Sequence, residues 1–86
     1  MNIAFTKIRK IGDRPFEFNF RKLPGTDEQF SADVTDMRGN RVFFSMRRDS
    51  SAEWHSTGNS VPQWITSNES LLGEAIEEGM SEIERV

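Results

Sequence analysis

Two spacings of apolar residues divide this chain. Up to about Thr57 they recur at every second position, and from Leu71 onward at every third or fourth. Alternation is the mark of a strand with one buried face; the longer spacing marks an amphipathic helix. Met1, Ile3 and Phe5 alternate with Asn2, Ala4 and Thr6, which predicts a first strand. Ile8 then falls on the opposite parity from Phe5, so a bulge or a strand end near Lys7 is expected. Gly12-Asp13-Arg14-Pro15 predicts a turn. Phe16, Phe18 and Phe20 share one face of the next strand, and Glu17, Asn19 and Arg21 share the other. Pro24-Gly25-Thr26-Asp27 predicts a hairpin turn, because Pro presets φ and Gly accepts positive φ. Phe30, Ala32 and Val34 form the apolar face of the return strand. After a turn at Arg38-Gly39-Asn40, Val42, Phe44 and Met46 continue that face, opposite Arg41, Phe43, Ser45 and Arg47.

A Ser-rich polar stretch follows, Arg48 to Ser60. Within it Trp54 and Ser56 are in phase, which leaves open whether residues 53–57 add a strand. Pro62 argues against a helix start before Val61. Trp64 and Ile65 read as an apolar clip, and Thr66 with Glu69 three residues on has the spacing of a capping box. The helix is expected from Thr66 or Ser67 to Arg85, with Leu71, Leu72, Ala75, Ile76, Gly79, Met80, Ile83 and Val86 as one stripe. Strands followed by one helix give an α+β fold: a four- or five-stranded antiparallel meander sheet with one C-terminal amphipathic helix packed on one face. The expected organisation is a single domain over 1–86, with sheet at 1–58, a linker at 59–65 and helix at 66–85.

Charge changes this picture. Residues 1–48 carry ten of the eleven Lys and Arg and six of the fourteen Asp and Glu; residues 49–86 carry the remaining one and eight. The sheet is therefore basic and the helix acidic. With no Cys there is no disulfide, thiolate metal site or Cys nucleophile. One His and no Cys leave only carboxylates for a metal, and no metal site or cofactor is expected. Lys7, Arg9 and Lys10 stand where a secretory leader would need apolar residues, and no apolar run is long enough to span a bilayer. A cytoplasmic protein, bacterial in style and without membrane partners, is expected.

One helix covers only one sheet face, so the other is a solvated face, a dimer contact or a binding surface. That face should show Arg21, Arg41, Phe43 and Arg47, with Lys7, Arg9, Arg38 and Arg48 extending it. Three readings follow. The first is a small non-enzymatic interaction module, binding another protein or a second copy through Phe43 or an unpaired strand edge. The second is single-stranded nucleic acid, with bases stacked on Phe43 and phosphates met by Arg. The third is acid–base chemistry at His55, oriented by Glu53 on the same side of an extended segment. A lone loop His is most often a surface residue, so a non-enzyme is expected. The order of strands and helix, with Asp36-Met37-Arg38-Gly39-Asn40-Arg41-Val42 as a central turn, is similar in outline to the positive-cofactor-four family of single-stranded DNA binders. That resemblance implies dimerisation through the helix and DNA on the basic sheet. An additional N-terminal strand and an acidic helix depart from the family's pattern.

Overall fold

The computed structural model describes residues 3–25 and 28–84. Five strands form an antiparallel meander in the order β1-β2-β3-β4-β5: Ala4–Ile11, Arg14–Lys22, Gln29–Thr35, Arg41–Arg48 and Trp54–Thr57. A short helix α1, Gln63–Thr66, precedes the long helix α2, Glu69–Glu84, which packs on the sheet. The fold is α+β. No described helix is long and apolar enough to cross a membrane.

Alternation sets the core. Phe18, Phe20, Phe30, Val34 and Met46 are completely or almost completely buried, and Ile65, Leu72, Ala75 and Ile76 meet them from the helices. Each large side chain removed from water in this way stabilises the fold by about 1.5–3 kcal/mol. The rings of Phe5, Phe30 and Trp54 come from the first, third and fifth strands. Their centroids nonetheless lie 6.0 and 5.8 Å apart. A flat sheet would set alternate strands about 9.5 Å apart, so the sheet curls and its rings lean inward beneath α2. Trp64 of α1 closes one end of the core against Phe16, at 4.9 Å.

Two helical glycines make this fit possible. A Cβ on Gly73 would lie 2.4 Å from the Trp54 ring, and one on Gly79 would lie 2.4 Å from the Phe5 ring. Each edge strand therefore drives an aromatic ring against bare helix backbone. Gly in a helix interior costs about 1 kcal/mol relative to Ala; the close contact offsets that loss.

Three expectations are corrected. β1 neither bulges nor stops at Lys7: its register runs unbroken from Ala4↔Arg21 to Ile11↔Arg14. The parity of Phe5 continues through Lys7 and Arg9 to Ile11, and Ile8 points to the uncovered side, 59% exposed. The charged residues on the apolar parity are tolerated because α2 ends over β1 with Glu78 and Glu82 in reach. The helix also begins later than expected, at Glu69, and part of the anticipated linker is helical as α1. The capping box does not form. Thr66 Oγ1 donates to the Gln63 carbonyl, and the Glu69 carboxylate turns to Ser56. The segment 53–57 does supply a fifth strand, Trp54–Thr57. The turn residues Thr26 and Asp27 and the helix end at Arg85 lie outside the described residues.

Candidate functional site

The uncovered face is built by strict pleating. On β4, Arg41, Phe43, Ser45 and Arg47 point away from the helix while Val42, Phe44 and Met46 point toward it. Across the sheet, Asn19 opposes Asp33 and Asp33 opposes Phe43; Arg21 opposes Ser31 and Ser31 opposes Ser45. Arg21, Arg41, Phe43 and Arg47 therefore share one face, as the alternation predicts. Phe43 is 69% exposed, the highest among the large apolar side chains described.

A polar ladder stiffens this face. Thr6 Oγ1 donates to Asn19 Oδ1 at 2.7 Å, and Asn19 Nδ2 donates to Asp33 Oδ1 at 2.9 Å. Asp33 also accepts from the Arg41 guanidinium, whose other nitrogen donates to Thr35 Oγ1 at 2.8 Å. Arg41 is thus held in place and largely neutralised. Among the described residues Arg21 and Arg47 have no carboxylate within ion-pair distance, so they present free guanidinium groups. A shallow depression of about 370 Å³ lies beside Arg21, lined also by Thr6, Asn19, Ser31, Asp33 and Arg41.

The remaining basic residues are elsewhere. Lys7 lies on the helix side, with its Nζ 2.9 Å from Glu78 and 2.7 Å from Glu82. The hydrogen bonds it donates to Glu82 and Glu78 raise its pKa above the ordinary 10.5. Arg9 joins it at Glu78, 3.0 Å away. Hydrogen bonds from Lys7 and Arg9 hold the Glu78 carboxyl below its usual range. Arg48 lies over the Trp54 ring, 5.5 Å from its centroid. Parity explains all three: they follow the core-facing positions of their strands, where the helix rim replaces solvent with carboxylates. Arg38 sits in the β3–β4 turn and lines a separate depression with Met37, Pro62 and Trp64.

His55 has different partners from the one expected. Its Nε2 donates to Asp49 Oδ2 at 2.7 Å, and its Nδ1 faces Glu69 at 3.7 Å. Asp49 Oδ1 accepts the backbone N–H groups of Ser51 and Glu53, which ties the hairpin turn together. Ala52 in that turn takes the left-handed conformation, φ 65°. The bond it donates to Asp49 raises the His55 pKa above 6.5. The Glu53 backbone N–H, then His55, hold Asp49 below 3.8. Burial works to raise the Glu69 carboxyl, but the Ser56 hydroxyl and N–H and the His55 charge outweigh it and lower the pKa. With Asp49 bonded to one ring nitrogen and Glu69 facing the other, His55 sits in an ion-pair clamp that favours its protonated form. Carboxylates of Asp49 and Glu53 lie with a His55 nitrogen inside 4.8 Å of one another, which is close enough for a cation to bridge them. Asp49 and Glu69 were not legible as His55 partners, because a hairpin turn and the start of α2 bring them together.

No family model, curated protein or solved structure matches the chain.

Proposed function

We propose that this protein is a non-enzymatic interaction module that binds an acidic protein surface through its uncovered sheet face. The observation that carries the reading is the exposure of Phe43 on a face where Arg21 and Arg47 have free guanidinium groups. Aromatic and Arg side chains together are the residues most enriched at the energetic centres of protein interfaces. Phe43 would enter an apolar notch on the partner, and the two Arg would meet carboxylates around it.

Charge decides between a protein and a nucleic acid. The face carries Lys10, Arg21, Arg41 and Arg47 against Glu17 and Asp33, and Arg41 is already matched to Asp33. Few free cations remain to meet a continuous phosphate backbone, whose binding scales with the number of phosphates neutralised. A protein surface with scattered carboxylates suits the face better. Single-stranded nucleic acid remains the second reading, supported by the exposed Phe43 ring between Arg41 and Arg47.

Fluorescence anisotropy tests the proposal with a labelled helical peptide rich in Glu and Leu. The expected result is saturable binding that Phe43→Ala and Arg47→Glu each weaken by about tenfold or more. A labelled oligothymidylate at about 50 mM salt, where phosphate contacts are strongest, should bind less tightly than the peptide. Tighter oligonucleotide binding would transfer the face to the second reading. If neither probe binds, the face is not a docking surface.

A further inference from the structure

The two edges of the sheet are finished differently. β5 is short, and its outward Ser56 N–H is accepted by Glu69 Oε2 at 2.8 Å, which also takes the Ser56 hydroxyl at 2.6 Å. β1 is eight residues long, contains no Pro and has no bulge.

The hydrogen-bond phase of β1 can be read directly. Lys22 N donates to the Ile3 carbonyl at 2.9 Å, so Ile3 and Lys22 form a hydrogen-bonded pair. Antiparallel pairs alternate between bonded and non-bonded. Phe5, Lys7, Arg9 and Ile11 therefore bond inward to β2, and Ala4, Thr6, Ile8 and Lys10 direct their N–H and C=O outward. Two observations agree. Pro15, which has no N–H, sits opposite Lys10 in a non-bonded pair. The Ile8 carbonyl accepts from Arg9 Nη1 at 2.9 Å, which needs it to face away from β2.

We infer that β1 pairs with β1 of a second copy, antiparallel about a two-fold axis at Ile8, joining two sheets into one of ten strands. The register is selected by the side chains. With Ile8 opposite Ile8 of the other copy, Thr6 meets Lys10, and both pairs use outward backbone groups. On the helix side Phe5 meets Ile11, apolar against apolar, and Lys7 meets Arg9. Those cations do not repel unopposed, because each copy brings Lys7 and Arg9 together with Glu78 and Glu82, two cations and two carboxylates. Shifting the axis by one residue either way sets Lys7 against Lys7 or Arg9 against Arg9, and leaves Ile8 facing Thr6 or Lys10. Of these three axes, only the one at Ile8 gives Ile8 itself an apolar partner. It buries the isoleucine that is otherwise 59% exposed at the centre of the edge, and the Arg9 contact to the Ile8 carbonyl is exchanged for a ladder bond. This contact is separate from the acidic-partner face and does not depend on it.

An interface made along one strand edge is small and belongs to the transient class, so the test runs to high concentration. Light scattering coupled to size exclusion should give a mass rising from the 9.9 kDa of one chain toward twice that value. Ile8→Pro removes an outward N–H without touching the β1–β2 ladder, and Ile8→Lys sets two cations against each other on the axis. Both variants should remain at the single-chain mass, with unchanged far-ultraviolet circular dichroism for Ile8→Lys as the check on folding. A wild-type protein that stays at the single-chain mass up to about 1 mM overturns the inference. A dimer that survives Ile8→Lys, or that is split by Phe43→Asp instead, overturns it equally, because the contact would then lie elsewhere.

Discussion

Phe43 and Phe44 are neighbours on one strand with identical side chains, yet the first is 69% exposed and the second 4%. Nothing local distinguishes them. The pleat sends one toward α2 and the other toward solvent, and the whole molecule repeats that division. On the covered side, rings interlock with helix backbone at Gly73 and Gly79, and stray cations are met by helix carboxylates. On the uncovered side, a hydrogen-bonded ladder holds Arg41 in place while Phe43, Arg21 and Arg47 remain unengaged. One side is arranged to hold the fold together; the other leaves these groups uncovered, and the proposed docking role rests on them.

Truncating each ring in turn should give the largest difference between the two sides. Phe44→Ala should lower unfolding free energy in urea by about 3–5 kcal/mol, as expected for a buried aromatic. Phe43→Ala should change it by no more than about 0.5 kcal/mol while weakening peptide binding. Equal stability losses would mean the two sides are not distinct.

Gly73→Ala is the next largest effect. In an open helix this change would stabilise by about 1 kcal/mol. Here the new Cβ meets Trp54 at 2.4 Å, and the ring cannot retreat because Phe30 packs against it. Overpacking should win, with a net loss of about 1–2 kcal/mol and a shifted Trp fluorescence maximum. A stabilised variant would show that helix and sheet are further apart.

The smallest effect concerns pH. The His55 pKa is raised, so its contribution is complete below 6.5 and fades as pH climbs through the higher folded value. The Asp49 pKa is lowered, so its contribution is complete above 3.8 and fades as pH falls through the lower folded value. The clamp is at full strength between those limits. The stability difference between wild type and His55→Gln, measured by urea titration, should be largest near pH 5–6 and shrink toward pH 8. A difference that grows with pH would contradict the clamp.

The sheet was legible because Phe at positions 16, 18 and 20, followed by the phases at 30–34 and 42–46, permits only one face to be buried. The candidate face was legible for the same reason, as the opposite parity. What parity could not convey was where the helix ends. Lys7 and Arg9 read as solvent residues because charge on a strand normally is, and only the arrival of Glu78 and Glu82 from more than sixty positions away reverses that reading. Glu69 had the spacing of a local cap but serves the far edge strand. Gly73 is not one of the stripe positions; its value is the absent side chain, which no hydrophobicity pattern registers.

The most direct test of the account is an amide chemical-shift map of the labelled protein titrated with the Glu- and Leu-rich peptide. Docking on the uncovered face should give perturbations centred on residues 41–47, reaching Arg21 and Ser31 across the sheet, with α2 unmoved. Perturbations confined to the outward surface of α2, with Phe43 and Arg47 silent, would contradict it.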